Sequence, residues 1–110
     1  MALACNVKPS CLDVFVTSRW GVDYLVKCFI QPDTVVLIVG NPPVDHNVWT
    51  KPEEADDRRI NDVVVVNSTH PGSDLAAAMA AALASASRVF AGVDPVYSAM
   101  LVERAEALYR

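Results

Sequence analysis

Basic residues are sparse in this sequence, and they form no run. Its 110 residues include 9 Lys and Arg against 13 Asp and Glu, which gives a formal net charge of -4. Nucleic acids and anionic membrane surfaces attract clustered Lys and Arg, so the charge pattern argues against nucleic acid and against a membrane as partners. An uncharged polymer remains compatible with this composition.

Long apolar runs are also missing. No stretch approaches the roughly 20 residues of a membrane-spanning helix. The start of the chain contains no apolar core of a signal peptide, so the sequence taken alone shows no route to secretion. The hydrophobic fraction of 53% and the charged fraction of 20% instead predict one small domain that buries much of itself.

Cysteine is scarce, and its spacing argues against two kinds of site. The sequence has three cysteines: Cys5, Cys11 and Cys28. Their odd number disfavours a complete disulfide framework, and the absence of a Cys-x-x-Cys pair disfavours a zinc site. Cys11 and Cys28 lie among apolar residues, and free Cys is among the most buried residue types, so we expect both to be small buried side chains. We predict no metal and no cofactor.

Apolar periodicity predicts three helices, at about residues 11–30, 73–91 and 94–110, and therefore an all-α fold class. Ser10 or Asp13 could cap the first helix, and Pro32-Asp33 stops it. The expected apolar faces are Leu12, Phe15, Val16, Trp20, Tyr24, Leu25 and Cys28 in the first helix, Leu75, Met79, Leu83, Ala86 and Phe90 in the second, and Tyr97, Met100, Leu101, Ala105 and Leu108 in the third.

The second and third helices carry clearer boundary signals. Ser73 or Asp74 is expected to cap the Ala-rich second helix, and Gly92 to end it. Asp94-Pro95 predicts the start of the third helix, because a capping residue is followed by Pro at the first helical position. This helix still runs at residue 110, so we expect the chain to be truncated.

Between the first two helices the sequence predicts two short extended runs, residues 35–39 and 63–66, and hence at most a short β-hairpin. Residues 40–59 contain three Pro and many polar side chains, which predicts a long ordered loop. Long loops in compact domains are often functional, and this one also carries His46 and Trp49.

Four blocks of the sequence follow one another in an informative order. They are residues 19–28 (RWGVDYLVKC), then Asp45-His46 with Trp49 and Pro52-Glu53, then residues 71–76 (PGSDLA) with the Ala run, and finally Val89-Phe90 with residues 94–98 (DPVYS). They resemble the RWGTDYLLK helix, the GDGxxDHxxWxRPE loop, the NPGSDxAxETAAALAAAS helix and the VFRxxDPxYSxxLL segment of glycoside hydrolase family 9, plant endo-β-1,4-glucanase type. We therefore divide the chain into an unmatched segment, 1–10, and a partial catalytic domain, 11–110.

The resemblance implies that the three helices are part of an (α/α)6 barrel and that residues 40–59 form a loop of its cleft. It also implies inverting hydrolysis of cellulose or related cell-wall β-1,4-glucans, with a Glu as general acid and an Asp that activates water. The family's motifs for both carboxylates are absent from this sequence. We therefore assign no catalytic residue and expect the chain alone to be inactive. The same resemblance implies a secreted, cell-wall location.

The sequence departs from the family pattern in three sets of residues, and its stretch between Arg59 and Pro71 is about two residues longer than in the family. Residues 40–42 read Gly-Asn-Pro in place of Gly-Asp-Gly, residue 48 is Val in place of Cys, and residues 78–79 read Ala-Met in place of Glu-Thr. These changes put the geometry of the cleft loop in question. The alternative hypothesis is a catalytically inactive truncated product, at most a weak glycan binder or a helical interaction module.

His46 and Trp49 are the candidate substrate-binding residues, and the implied ligand is a β-1,4-glucan. An indole stacks on the apolar face of a glucose ring, and an imidazole both donates to and accepts from sugar hydroxyls. We predict that the two side chains line one concave surface. The alternative is that Trp49 packs the loop onto the barrel and His46 binds a backbone group. Asp45 either orients His46 or forms an Asx turn.

Other charged residues of the sequence are interpreted as structural. A solvated loop explains the acidic cluster better than acid–base catalysis or calcium binding, because neighbours on one loop do not face each other across a substrate. This cluster and its cationic neighbours are Glu53, Glu54, Asp56, Asp57, Arg58 and Arg59. Helix packing with one ion pair is predicted for Arg19, Trp20, Asp23 and Tyr24, and a core position for Tyr97.

An incomplete barrel has a consequence for the helix surfaces. Three helices without neighbours on both sides are expected to leave apolar residues such as Leu75, Met79, Leu83 and Phe90 partly exposed to water. Uncovered apolar faces favour association, so we expect the chain to self-associate through them.

Overall fold

The computed structural model describes residues 9–47, 49–54 and 62–110, with residues 9–12 and 45 described by their backbone alone. This part of the chain is mostly helical, as predicted, and it adds a small sheet. Helices run over Pro9–Cys28 (α1), Pro42–His46 (α2), Ser73–Phe90 (α3) and Pro95–Tyr109 (α4), a short 3-10 helix over Pro52–Glu54, and strands over Phe29–Gln31 (β1), Thr34–Val39 (β2) and Val63–Val66 (β3).

The core lies between α3 and α4. Leu83 and Leu101 are fully buried at 0% exposure, and the rings of Phe90 and Tyr97 meet edge to face with centroids 5.1 Å apart. Phe15 of α1 covers this pair, with its ring centroid 6.0 Å from that of Phe90. Full burial of side chains of this size contributes about 1.5–3 kcal/mol each. The apolar faces predicted for α3 and α4 are therefore confirmed.

Small side chains let α3 and α4 approach closely. The Ser98 hydroxyl donates to the Ser87 carbonyl across the two helices at 2.7 Å, and the buried Ser87 hydroxyl donates to the Ala84 carbonyl at 2.8 Å. The sequence predicted that the apolar face of α3 would stay partly exposed to water. This prediction is wrong for Met79, Leu83 and Phe90, which are buried. Leu83 and Phe90 belong to a core cluster to which α1, α3 and α4 all contribute, and only Leu75 of the set is half-buried.

The turn between α3 and α4 confirms one predicted cap and corrects two others. Asp94 caps α4, with its Oδ1 accepting from the Tyr97 N–H at 3.0 Å and with Pro at the first helical turn. Gly92 is not a left-handed cap, since Gly40 is the glycine with positive φ among the described residues. At the start of α3 the N-cap is Gly72, without a side-chain hydrogen bond, rather than either polar residue that follows it.

The sheet has the order β1-β2-β3 and is antiparallel throughout. The prediction of at most one hairpin is therefore wrong, although both extended runs that it used are strands. The sequence pattern extended the first helix to residue 30, whereas α1 ends at Cys28 and Phe29 begins β1. A turn stabilised by Gln31, whose amide donates to Asp33 at 3.1 Å and to Thr34 at 3.0 Å, reverses the chain into β2.

One apolar stripe of α1 faces solvent. Val16, Trp20 and Tyr24 are exposed, with Trp20 at 78%, so the predicted packing role of Trp20 and Tyr24 is wrong. The helix instead packs through Phe15, Val22, Leu25 and Val26 against the core cluster. Cys28 is a half-buried free thiol rather than a buried one. Cys5 and the side chain of Cys11 lie outside the described residues.

The chain forms an extended plate rather than a compact globule. Its radius of gyration is 17.3 Å, whereas a compact domain of about 100 residues has about 13 Å. The principal extents of 51 × 36 × 18 Å show that it is thin in one direction. Among the described helices, none is both long and apolar enough to cross a bilayer.

Candidate functional site

The segment that carries His46 and Trp49 leaves the sheet at the end of β2 and returns at β3. Its two ends are held together by a backbone hydrogen bond from Gly40 to the Asp62 carbonyl, 2.7 Å, and by the Asn41 side-chain amide donating to the Asp62 carboxylate, 2.8 Å. Gly40 is buried with φ 124°, a conformation that favours glycine. The base of the segment is therefore closed and ordered.

Asn41 has a second role at this base. Its Oδ1 accepts a hydrogen bond from the Val44 N–H at 3.3 Å, which caps α2, and Pro42 occupies the first turn. The sequence interpretation missed this helix because its five residues are too few for periodicity. The signal present was the Asn-Pro pair, an N-cap followed by Pro at the first helical position.

His46 and Trp49 both lie on the surface. His46 ends α2 and is exposed, and Trp49 is exposed to 102%. An indole with this exposure packs against nothing in the described part of the chain. Two grooves elsewhere on the described part of the chain include neither residue. A concave surface shared by the two side chains therefore stays a prediction, as does the role of Asp45, whose side chain lies outside the described residues.

The acidic part of the segment is only partly described. Glu53 and Glu54 are exposed on the 3-10 helix, where the Glu54 N–H donates to the Lys51 carbonyl at 3.0 Å. Both carboxylates have the surroundings of a solvated loop. Residues 56–59, the remainder of the cluster, lie outside the described residues. In the residues that are described, no group of three or more His, Cys, Asp or Glu could hold a metal ion.

A cluster of polar and charged side chains joins α1 to the start of α4 at the edge of the core. Arg19 is 3.0 Å from Asp94 and 3.9 Å from Asp23, and its guanidinium lies over the Tyr97 ring, 4.2 Å from the centroid. The Tyr97 hydroxyl donates to Asp23 at 2.7 Å. The sequence predicted one ion pair within α1. It could not predict the pair with Asp94, which is 75 residues away along the chain.

The ionisation of this cluster suits a structural role. Burial, together with the hydrogen bond to Asp23, raises the pKa of Tyr97 to about 12. The hydrogen bond from the Tyr97 backbone N–H, and then that from Arg19, lowers the pKa of Asp94 below its usual value. At neutral pH the phenol is therefore protonated and the carboxylate charged. Neither group is poised to exchange a proton with a substrate.

Two open grooves lie on other faces of the chain. The larger, about 550 Å³, runs between α3 and α4 and is lined chiefly by small apolar side chains: Ala77, Ala80, Ala81, Ala84, Val102 and Ala105, with Glu106, Tyr109 and Arg110 at one end. The second, about 280 Å³, lies where the sheet meets the ends of α3 and α4. No histidine lines either groove, so neither groove offers an imidazole such as that of His46 in the β2–β3 segment.

The family model described as Glycosyl hydrolase family 9 matches residues 7–110. The chain belongs to this family. The match begins before residue 11, where the predicted domain boundary lies, and it includes the whole β2–β3 segment with His46 and Trp49. The sequence resemblance to this family is therefore confirmed.

Individual relatives agree with the family assignment. Endoglucanase 6 of Oryza sativa subsp. japonica is 47% identical over 91 residues, covering 83% of this chain and 18% of the relative. Endoglucanase 17 of Arabidopsis thaliana is 44% identical over 94 residues, covering 86% and 18%. An endoglucanase from the termite Nasutitermes takasagoensis, whose structure was solved at pH 2.5, superposes with a TM-score of 0.70 at 38% identity, covering 82% of this chain and 20% of that one. The chain thus spans about a fifth of the length of these proteins.

Proposed function

We propose that this family 9 chain forms part of an endo-β-1,4-glucanase acting on cellulose or related cell-wall glucans, and that its β2–β3 segment supplies one wall of the glucan-binding cleft. His46 and Trp49 contact the sugar. The observation that carries this assignment is the complete exposure of Trp49 on a segment whose ends are fixed at Gly40 and Asp62.

The chemistry of the two side chains fits a glucan. The axial C–H groups of a β-linked glucose ring form an apolar face, and an exposed indole can cover it. Aromatic side chains bury roughly 150–250 Å² in full, so stacking on one face removes on the order of 100 Å² from water, which contributes about 2 kcal/mol. His46 adds hydrogen bonds to hydroxyl groups, and neither residue needs a charged ligand.

Catalysis is assigned to parts of the enzyme other than this segment. An inverting pair needs an acid and a base roughly 6.5–9.5 Å apart on opposite sides of the scissile bond. Glu53 and Glu54 are neighbours in one turn, and Asp94 has a lowered pKa, which is opposite to the need of a general acid. We expect no release of reducing sugar from carboxymethylated cellulose by this chain alone. The location is the cell wall, as for a secreted glucanase.

Binding of soluble cello-oligosaccharides tests the assignment. Trp49→Ala should weaken binding by about 30-fold, the equivalent of roughly 2 kcal/mol, in titration calorimetry of the whole chain. Trp20→Ala is the matched control, because Trp20 is also exposed, at 78%, but lies on α1. Equal affinities of the two variants would show that Trp49 does not contact sugar, and turnover lost with His46→Ala would show a catalytic role that we do not assign.

Self-association is a second candidate function, favoured by the large apolar groove between α3 and α4. The groove carries Glu106 and Arg110 at one end, so a two-fold axis can set the carboxylate of one copy against the guanidinium of the other. A second copy is the proposed occupant. Ala81→Glu, inside the groove, should shift the chain toward monomer in sedimentation equilibrium, whereas Ala99→Glu, exposed outside it, should not. A wild-type chain that is monomeric at high concentration would exclude this function.

A further inference from the structure

The turn that follows β3 contains a pattern that the proposed glucan site does not use. Residues 67–69 read Asn-Ser-Thr, which is the Asn-x-Ser/Thr acceptor pattern of N-glycosylation with a permitted middle residue. The chain's other asparagines, at positions 6, 41, 47 and 61, are not followed two residues later by Ser or Thr. Asn67 is therefore the single acceptor position in this sequence.

The side chain of Asn67 is held by its oxygen alone. Its Oδ1 accepts from the Thr69 N–H at 3.0 Å, from the Thr69 hydroxyl at 2.8 Å and from the His70 N–H at 2.9 Å. Backbone hydrogen bonds between Asn67 and His70, at 2.9 and 3.2 Å, close the same turn. The amide Nδ2 donates to no residue in the described part of the chain.

We propose that Asn67 is an N-glycosylation acceptor; this proposal rests on the extracellular location proposed above. Nδ2 forms a bond to the anomeric carbon of an oligosaccharide carried on a polyisoprenyl pyrophosphate. The bond from that carbon to the pyrophosphate oxygen breaks, the amide loses one proton, and the lipid pyrophosphate leaves. One N–H remains on the amide, and no oxidant or reductant takes part.

The folded turn accommodates the product. Substitution at Nδ2 leaves Oδ1 intact, so all three hydrogen bonds that it accepts persist when the glycan is attached. Asn67 is half-buried, while Ser68, Thr69 and His70 are exposed, so the attached sugar has an open path to solvent. The turn needs no rearrangement after the transfer.

The position of the turn keeps such a glycan away from the glucan-binding segment. Asp62, which closes the base of that segment, precedes β3, and Asn67 follows it. Five residue steps of extended chain, at about 3.3 Å each, separate the two ends by roughly 16 Å. A glycan on Asn67 is therefore attached at the end of β3 opposite to the base of that segment.

The test is to express the full chain in yeast behind a cleavable leader, which supplies entry to the secretory pathway independently of the natural location. The wild type should carry one glycan that peptide N-glycosidase F removes, leaving Asp at position 67 in the peptide mass spectrum. Asn67→Gln, Thr69→Ala and Ser68→Pro should each abolish it, whereas Thr69→Ser and the control Asn47→Gln should retain it.

The outcomes separate this proposal from the proposed function. An unmodified wild-type chain whose leader has been cleaved would overturn it, and so would a glycan that survives Asn67→Gln. Cello-oligosaccharide binding is measured on the same secreted protein. Binding without a glycan would refute the acceptor assignment alone, and a glycan without binding would support it while refuting the role of Trp49.

Discussion

Gly72 is the position where one added methyl group tests the packing of the sheet against α3. A Cβ on Gly72 would lie 2.7 Å from Val66 Cγ1 and 3.1 Å from Val66 Cβ. Val66 is β-branched and held in β3, so the contact cannot be relieved by a flexible chain end. Overpacking of this kind costs about 1–3 kcal/mol. We expect Gly72→Ala to lower the free energy of unfolding by about 2 kcal/mol and the thermal midpoint by on the order of 10 °C.

Two other glycines provide matched controls for this substitution. A Cβ on Gly21 or Gly92 meets nothing within 4 Å. Gly21→Ala, inside α1, should stabilise by up to about 1 kcal/mol because alanine has the higher helix propensity. Gly92→Ala, in the turn before α4, should raise the free energy of unfolding by at most about 1 kcal/mol.

Urea unfolding followed by circular dichroism measures the free energies, and a double-mutant cycle isolates the contact. Val66→Ala removes Cγ1, which makes the shortest contact, and Cγ2, and it leaves only Cβ at 3.1 Å. Gly72→Ala should therefore cost less in the Val66→Ala background. If Gly72→Ala behaves like Gly92→Ala, or if its cost is unchanged by Val66→Ala, the close approach of β3 to α3 is not what requires glycine at this position.

Two further predictions concern the core and the polar cluster. Leu101→Ala should destabilise the chain by about 2–5 kcal/mol, because Leu101 is fully buried, whereas Val96→Ala, at 82% exposure, should be close to neutral in the same urea titration. The lowered pKa of Asp94 stabilises the fold above the unfolded-state pKa, about 3.9, and this stabilisation is lost as pH falls through the folded-state value. Arg19→Met should therefore flatten the loss of stability below about pH 4, measured by thermal melts across that range; an unchanged profile would show that Arg19 does not act on Asp94.

The two C-terminal helices were predictable because their signals are local. Asp94-Pro95 marks the start of α4 through a cap that involves Tyr97, three residues on. The apolar period of α3 and α4 matches the residues that each helix buries against the other, and the two are adjacent in sequence. The family resemblance could also be recognised from the sequence, because the four blocks of residues that carry it occur in the same order as in the family.

The first helix and the sheet were less predictable because their partners are distant. Trp20 and Phe15 both fit an apolar period, but which stripe is buried depends on where Phe90 lies. Phe29 continues the helical period, yet it belongs to β1 and packs under the Arg104 guanidinium, 4.8 Å from its ring centroid. Periodicity reports that a stripe is apolar. It does not report which neighbour covers it.

The departures from the family pattern at residues 40–42 bear on whether the β2–β3 segment, which we propose binds glucan, has decayed. A loop that had lost its support would leave polar groups at its base without partners. The side chain of Asn41 instead makes two hydrogen bonds. Its Nδ2 donates to the Asp62 carboxylate, and its Oδ1 caps α2 by accepting from the Val44 N–H. Pro42 then replaces a flexible residue at a position where the backbone N–H needs no partner. The substituted residues therefore form a closed base of their own, and the exposed indole of Trp49 lies beyond it. Loss of stability in Asn41→Ala together with loss of cello-oligosaccharide binding would tie the base to the sugar contact, whereas full binding by Asn41→Ala would show that Trp49 needs no such support.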